Sequence, residues 1–137
     1  MYNIIKLEVK GETLMVASEF LNYKNWVVAG NVANNKKYAF KILNSLKDNE
    51  FNVAGVNPKS FEGGAYKSLA EVPFSINVLD LCINPAIGIH VVKEASKLGI
   101  DKILIQPGAE SDEILSFCNN NRINFVEGCA LVELSRR

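Results

Sequence analysis

Five short apolar runs, separated by stretches with helical periodicity, restrict what this chain can fold into more than any other feature of its sequence. They are Trp26-Val27-Val28-Ala29, Phe51 to Val56, Ile76 to Ile83, Lys102 to Ile105 and Ile123 to Val126. Runs this short and nearly free of charge suit strands covered on both faces, not strands with one wet side. After the first run, Tyr38, Ala39, Ile42, Leu43 and Leu46 mark one face of a helix, with Lys36, Lys37, Lys41 and Lys47 on the remainder. Pro85 to Leu98 puts Gly88, Val91, Val92 and Ala95 on an inward stripe, and Gly99 follows as a helix-ending residue. Ser111 to Asn119 forms a third helix, with Ser111 as cap and Asp112 and Glu113 at the positive end of its dipole.

Strand, crossover and parallel strand connect right-handedly, so repeated units of this kind build a sheet with helices on both faces. The expected architecture is a single Rossmann-like, doubly wound α/β domain with a mainly parallel five-stranded sheet. The 137 residues suffice for one such domain, which buries about two thirds of its unfolded surface without disulfides or metal. Residues 25–137 make up the expected domain, and residues 1–24 an N-terminal extension packed on it. In that extension Glu12 to Asn22 reads as a helix and Ile4 to Val9 as an added edge strand. Phe61 to Pro73 lacks strong periodicity; Gly63-Gly64 marks a turn, and Ser68 to Val72 suits one short helix.

Fifteen basic residues balance fifteen acidic ones. That balance removes the broad attraction on which nonspecific nucleic-acid or anionic-membrane binding depends, so neither partner is expected. The first ten residues interrupt their apolar positions with charge, unlike a signal peptide. The least charged window, Val72 to Val92, still carries Asp80 and two prolines, and no membrane span is expected. Cys82, Cys118 and Cys129 are odd in number and lack CxxC spacing, against both a disulfide framework and a zinc site. Reduced thiols and a cytoplasmic location are the expectation.

Ligands of open α/β sheets bind beyond the carboxyl ends of the strands, where strand order reverses. After the first run comes Gly30-Asn31-Val32-Ala33-Asn34-Asn35-Lys36-Lys37-Tyr38, a small-residue turn entering a helix. Its backbone N–H groups and the helix dipole can receive a phosphate. It is neither GxGxxG nor a P-loop, and a plain strand-to-helix connection is an equal reading. Three later strand ends set polar residues beside proline: Asn57-Pro58-Lys59, Asn84-Pro85 and Gln106-Pro107-Gly108. Asn84 and Pro85 are also explained as the cap and first turn of the next helix. Together these ends outline a polar cleft flanked by apolar sheet. Asn57 stands where NAD-binding domains usually carry an acid for the ribose, and Lys59 follows, so a ribose bearing an extra phosphate, as in coenzyme A or NADP, suits the site better than NAD. Lys37 can add charge near the pyrophosphate, although exposed lysines are mostly just solvated.

Val27-Val28-Ala29-Gly30 with Lys37-Tyr38-Ala39, Val56-Asn57-Pro58-Lys59, Tyr66-Lys67-Ser68-Leu69, Asn84-Pro85, Pro107-Gly108 and Glu127 to Val132 occur in this order. In these motifs the chain, from Phe20 to about Leu134, resembles the CoA-binding domain family, small Rossmann-like proteins related to the CoA-binding domain of the succinyl-CoA synthetase alpha subunit. The resemblance implies nucleotide contacts at Gly30, Asn31, Val32, Asn57, Pro58, Asn84, Pro85, Gln106 and Gly108. Asn31 and Val32 replace the Ala and Ser or Thr typical of relatives, which removes one hydroxyl contact to phosphate. The Phe61–Tyr66 segment is also shorter than in many of them.

No catalytic constellation is legible. His90 has no partner at readable spacing and reads as a surface or packing residue. Asp80, between Leu79 and Leu81, must find donors or titrate high, and a hydrogen-bonded structural role is the first reading. Asp48, Glu50, Glu110, Asp112 and Glu113 read as solvated, and Cys82 and Cys118 as core. Cys129 matches a cysteine of the family; packing is its first reading, a mixed disulfide with a thiol cofactor the other. The expectation is a non-catalytic carrier, sensor or regulatory protein for CoA or acyl-CoA. The alternatives are an NAD(P)-binding sensor, with NADP as ligand, or a subunit presenting CoA within a larger acyl-CoA enzyme. A homodimer or a protein partner stays open.

Overall fold

The computed structural model describes residues 8–9, 12–13 and 15–137. Strands β3 (Asn25–Ala29), β4 (Asn52–Val56), β5 (Val78–Leu81), β6 (Lys102–Ile105) and β7 (Asn124–Glu127) form a five-stranded sheet in the order β4-β3-β5-β6-β7. All four pairings are parallel, with Ala29 opposite Val56 and Leu81, and Leu81 opposite Ile105. β5 is buried at every position, as expected of a central strand under helices on both sides.

Helices α3 (Pro85–Lys97) and α4 (Asp112–Asn120) cover one face, where Val27, Leu79, Leu81, Ile103 and Ile105 meet Val92, Ala95, Ile114 and Cys118. Helices α1 (Ala17–Phe20), α2 (Tyr38–Asp48) and α5 (Ala130–Ser135) cover the other, packing Phe20, Ile42, Leu46 and Leu134 on Trp26, Val28 and Leu104. Alternate strand residues feed opposite layers because successive side chains leave a strand on opposite faces. Trp26 is fully buried, and its indole N–H donates to the Tyr23 carbonyl at 2.8 Å, which satisfies the ring's only polar atom.

The caps agree with the sequence pattern: Asn84 Oδ1 accepts from the Ile87 N–H, Ser111 Oγ from the Ile114 N–H, and Gly99 takes a φ of 78° after α3. Leu69–Glu71 is a single 3-10 turn. The N-terminal extension differs from expectation. Glu12 and Thr13 form strand β2, antiparallel to β1 (Glu8–Val9), in a separate two-stranded sheet, so the expected helix shrinks to Ala17–Phe20. The physical reason is local: Val16 is extended, and Glu19 Oε1 accepts its N–H at 2.9 Å, which starts the helix there. Of the expected edge strand, Glu8 and Val9 pair with β2 and not with the main sheet; Ile4 to Leu7 lie outside the described residues. Helix α5 was not evident from sequence, being too short to show a periodicity.

Candidate functional site

From β3 the chain first turns outward to β4, then crosses back to β5 on the opposite side of β3. The connections after β3 and β5 therefore diverge, and a crevice opens at their carboxyl ends. A cleft of about 440 Å³ lies there. Its walls are Asn31, Lys37, Tyr38 and Ala39 from the β3–α2 side, Cys82, Ile83 and Asn84 after β5, and Gln106 to Ala109 after β6.

Gly30 forms the base of the first wall. Its N–H donates to the Val56 carbonyl at 2.9 Å, and a Cβ here would stand 2.7 Å from the Cys82 carbonyl oxygen and 2.9 Å from the Ala39 Cβ. Only a glycine lets the β3 end, the β5 end and α2 approach this closely. Val32 is buried and wedged over Gly55, so its side chain anchors the loop inward. Asn31 Oδ1 accepts the N–H groups of Ala33 and Asn34, each at 3.1 Å, and Asn34 Oδ1 accepts that of Lys36 at 2.9 Å. The amides of Gly30, Ala33 and Asn34 thus already have partners, and further donors lie at the start of α2.

Those donors open α2. Its N-cap is Lys37, with no side-chain capping bond and no acid in the first turn. The N–H groups of Tyr38, Ala39 and Phe40 have no intrahelical acceptor, and the dipole adds positive potential. The other two long helices are closed to anions, α3 by the Asn84 cap and α4 by the Ser111 cap with Asp112 and Glu113 beside it.

Of the sequence-predicted residues, the cleft gathers Asn31, Lys37, Tyr38, Asn84, Gln106, Pro107 and Gly108. Gly30 and Val32 support it from below, Ala33 and Asn34 are exposed at the loop tip, and Pro85 starts α3. Asn57, Pro58 and Lys59 are not in its walls; they follow β4 at the sheet edge. Asn57 Oδ1 there accepts the Lys59 N–H at 3.0 Å and shapes the turn, while a Cβ on Gly63 would stand 3.0 Å from the Ala33 Cα, so this segment passes close to the loop tip.

Ala39, Cys82, Ile83 and Ala109 line the cleft without having been singled out as site residues. For Cys82 this is a correction: it is half-buried at the wall and not enclosed in the core, because it stands one residue past the end of β5. Glu110 is a second correction. Its Oε1 accepts the Gly108 N–H at 2.8 Å, so it fixes the rim instead of facing only solvent. Cys118 is fully buried, and His90 is exposed.

Behind the wall lies a buried polar group. Asp80 is fully buried, accepts the Cys82 thiol on Oδ1 at 3.0 Å and has no partner for Oδ2. Burial pushes its carboxyl up to about 7, and the thiol's hydrogen bond only partly opposes this. The Cys82 thiol is driven well above its usual range, first by burial and then by the neighbouring carboxylate. Gln106, 6% exposed, donates from Nε2 to Cys129 Sγ at 3.2 Å and leaves Oε1 without a partner. Among the described residues no cluster of three or more His, Cys, Asp or Glu could hold a metal, and no helix is long and apolar enough to cross a membrane.

The sequence pattern of a CoA binding domain matches residues 24–135. Among solved structures, a conserved hypothetical protein from Pyrococcus furiosus is 33% identical, with a TM-score of 0.74 over 81% of this chain and 99% of that one. A hypothetical protein from Pyrococcus horikoshii shares the fold at 23% identity and a TM-score of 0.79, covering 88% of this chain and 92% of that one. A protein from Thermus thermophilus does so at 21% identity and a TM-score of 0.75, covering 86% and 93%. No curated protein matches the sequence.

Proposed function

The chain belongs to the CoA-binding domain family, and from that premise we propose that it binds coenzyme A or an acyl-CoA as a non-catalytic carrier, sensor or regulatory protein in the cytoplasm. The observation that carries the reading is the uncapped N-terminus of α2, which opens beside a cleft at the point where strand order reverses. There the N–H groups of Tyr38, Ala39 and Phe40 receive the diphosphate, and Lys37 adds a cation. Asn31 holds the loop in shape by accepting two of its amides. Lys59, exposed on the adjoining turn, is the cation for the additional ribose phosphate. The chain's own residues thus bind and orient a phosphorylated ligand.

The wall residues favour holding over reacting. The thiol of the wall, Cys82, is kept protonated, and it is hydrogen-bonded to Asp80. A protonated thiol is a poor nucleophile. Three unpaired cysteines agree with a reducing compartment.

The experiment is thermal shift and calorimetry of the purified chain with CoA, acetyl-CoA, NADP and NAD. Ligand stabilisation grows with concentration by mass action. CoA and acetyl-CoA should stabilise most, with NADP behind and NAD last, and acetyl-CoA should be recovered unhydrolysed. A ranking led by NADP transfers the site to a nicotinamide dinucleotide, and turnover of acetyl-CoA ends the non-catalytic reading.

A further inference from the structure

The connection between β4 and β5 that carries Lys59 has little regular structure to hold it. Phe61 to Gly64 are exposed, and Gly63 and Gly64 take φ values of 71° and 79°. Order returns at Leu69, which is 1% exposed and belongs to the core layer that α3 covers. The 3-10 turn Leu69–Glu71 begins there, and its N-cap residue Ser68 makes no side-chain capping bond. The cap comes from α3 instead. Glu94 Oε1 accepts the Leu69 N–H at 2.9 Å, and Glu94 Oε2 accepts the Ala70 N–H at 3.1 Å. Both oxygens of one carboxylate are thus committed to two adjacent backbone donors of a distant segment. Water satisfies a glutamate on an ordinary helix face; this one acts as a charged clamp, and bonds to a charged acceptor are roughly twice as strong as neutral ones.

From the clamp a continuous set of bonds leads to Lys59. Three residues before Leu69, Tyr66 forms a parallel bridge with Val56 at the end of β4. Its N–H donates to the Gly55 carbonyl at 2.9 Å, and its carbonyl accepts the Asn57 N–H at 2.8 Å. Asn57 then shapes the turn twice: its Oδ1 accepts the Lys59 N–H at 3.0 Å, and its carbonyl accepts the Ser60 N–H at 3.2 Å. The far end of this path is fixed to the rest of the molecule by Glu94. The same helix begins at the Asn84 cap, in the wall of the cleft. One rigid element therefore sets both the cleft wall and the segment from which Lys59 projects.

We propose that Glu94 is a positioning residue for ligand selection: by clamping the Leu69 and Ala70 amides it holds the Asn57–Lys59 turn, and so decides how well Lys59 distinguishes a ribose that bears an extra phosphate from one that does not. This rests on the role given to Lys59 above. Glu94 touches no ligand itself. Its effect is entropic, because a cation on a braced turn loses less freedom when it meets a phosphate than one on a loose turn.

The test is calorimetry of CoA and dephospho-CoA on the wild-type chain, Glu94→Gln, Lys59→Gln and the double variant. Glutamine keeps one acceptor oxygen and turns a donor toward the second N–H, so the clamp opens with little change of shape. Glu94→Gln should weaken CoA by about twofold to fourfold, under the roughly fivefold ceiling of an exposed ion pair, and change dephospho-CoA by less than about 1.5-fold. On the Lys59→Gln background it should cost CoA nothing further, because both residues act through one contact. Hydrogen exchange makes the same test on the unaltered chain, and decides the matter if the variant does not fold. At matched saturation CoA should slow the Leu69 and Ala70 amides more than dephospho-CoA does, since coupling is reciprocal. Equal losses for both ligands, additive losses in the double variant, or equal protection by both ligands overturns the inference. If the wild-type chain binds no CoA, or holds both ligands alike, the reading of the site fails and the role of Glu94 with it; a preference for CoA that Glu94→Gln leaves intact refutes Glu94 alone.

Discussion

The Cys82 thiol donates to Asp80 Oδ1 at 3.0 Å, joining a cleft wall to a carboxylate with no exposed surface. Val28 and Leu104 sit opposite Asp80 on the two neighbouring strands, so water has no route to its second oxygen. Burial then dominates the titration of both groups and pushes each upward.

Asp80 makes stability fall with rising pH. Its folded value of about 7 lies above the unfolded value near 4, so between these the unfolded chain has released a proton that the folded chain keeps. The contribution is full below about pH 4 and is lost as pH rises through about 7, by at most about 4 kcal/mol. Thermal melts of wild type and Asp80→Asn at pH 5 and pH 8 should show the wild type losing ground to the variant at the higher pH. Parallel profiles contradict the assignment.

Gly30→Ala should destabilise the fold by about 1–3 kcal/mol through overpacking, because the added Cβ would stand 2.7 Å from a backbone carbonyl oxygen and 2.9 Å from the Ala39 Cβ. The same displacement pushes α2 from the β5 end, so CoA affinity should fall as well. Urea denaturation and calorimetry read the two effects separately. Unchanged stability means the loop gives way in a manner the geometry does not show.

Lys37 and Lys59 are both exposed, so their removal should leave stability within about 0.5 kcal/mol. Lys37→Gln should weaken CoA and dephospho-CoA alike, with a flatter salt dependence, since screening acts on an exposed pair. Lys59→Gln should weaken CoA and spare dephospho-CoA. Equal loss for both ligands in Lys59→Gln removes Lys59 from the ribose-phosphate role.

Thiol labelling should follow burial. Cys118 is fully enclosed, and burial pushes its thiol up to about 12; Cys82 is held protonated by burial and by Asp80. Iodoacetamide on the native chain should therefore modify half-buried Cys129 first, as peptide mapping by mass spectrometry can follow. Cys118→Ser should leave CoA binding intact while costing about 1–3 kcal/mol for an unpartnered buried hydroxyl.

The five strands and three of the helices were legible because burial on both faces leaves a local mark: a charge-free run for each strand, a periodic stripe for each helix, and caps at Asn84 and Ser111. Asp80 also announced itself, as a carboxylate inside an apolar run. The N-terminal helix was overread, since pairing of Glu12 and Thr13 with Glu8 and Val9 outweighs weak helical propensity. Helix α5 and Cys82 were missed for a related reason: six residues carry too little periodicity, and a cysteine next to a strand looks the same in sequence whether it is enclosed or faces a cleft.

The sequence by itself determined the layers, the parallel sheet and the rim on which polar residues collect, because these follow from spacing along the chain. Tertiary structure alone decided which rim residues share a space. It set Asn57 to Lys59 apart at the β4 edge, brought Gln106 to the cleft, and left the first turn of α2 without a side-chain cap beside it. Strand order is fixed by long-range pairing, and the Gln106 amide finds its partner in Cys129, twenty-three residues away; neither relation leaves a trace in local sequence.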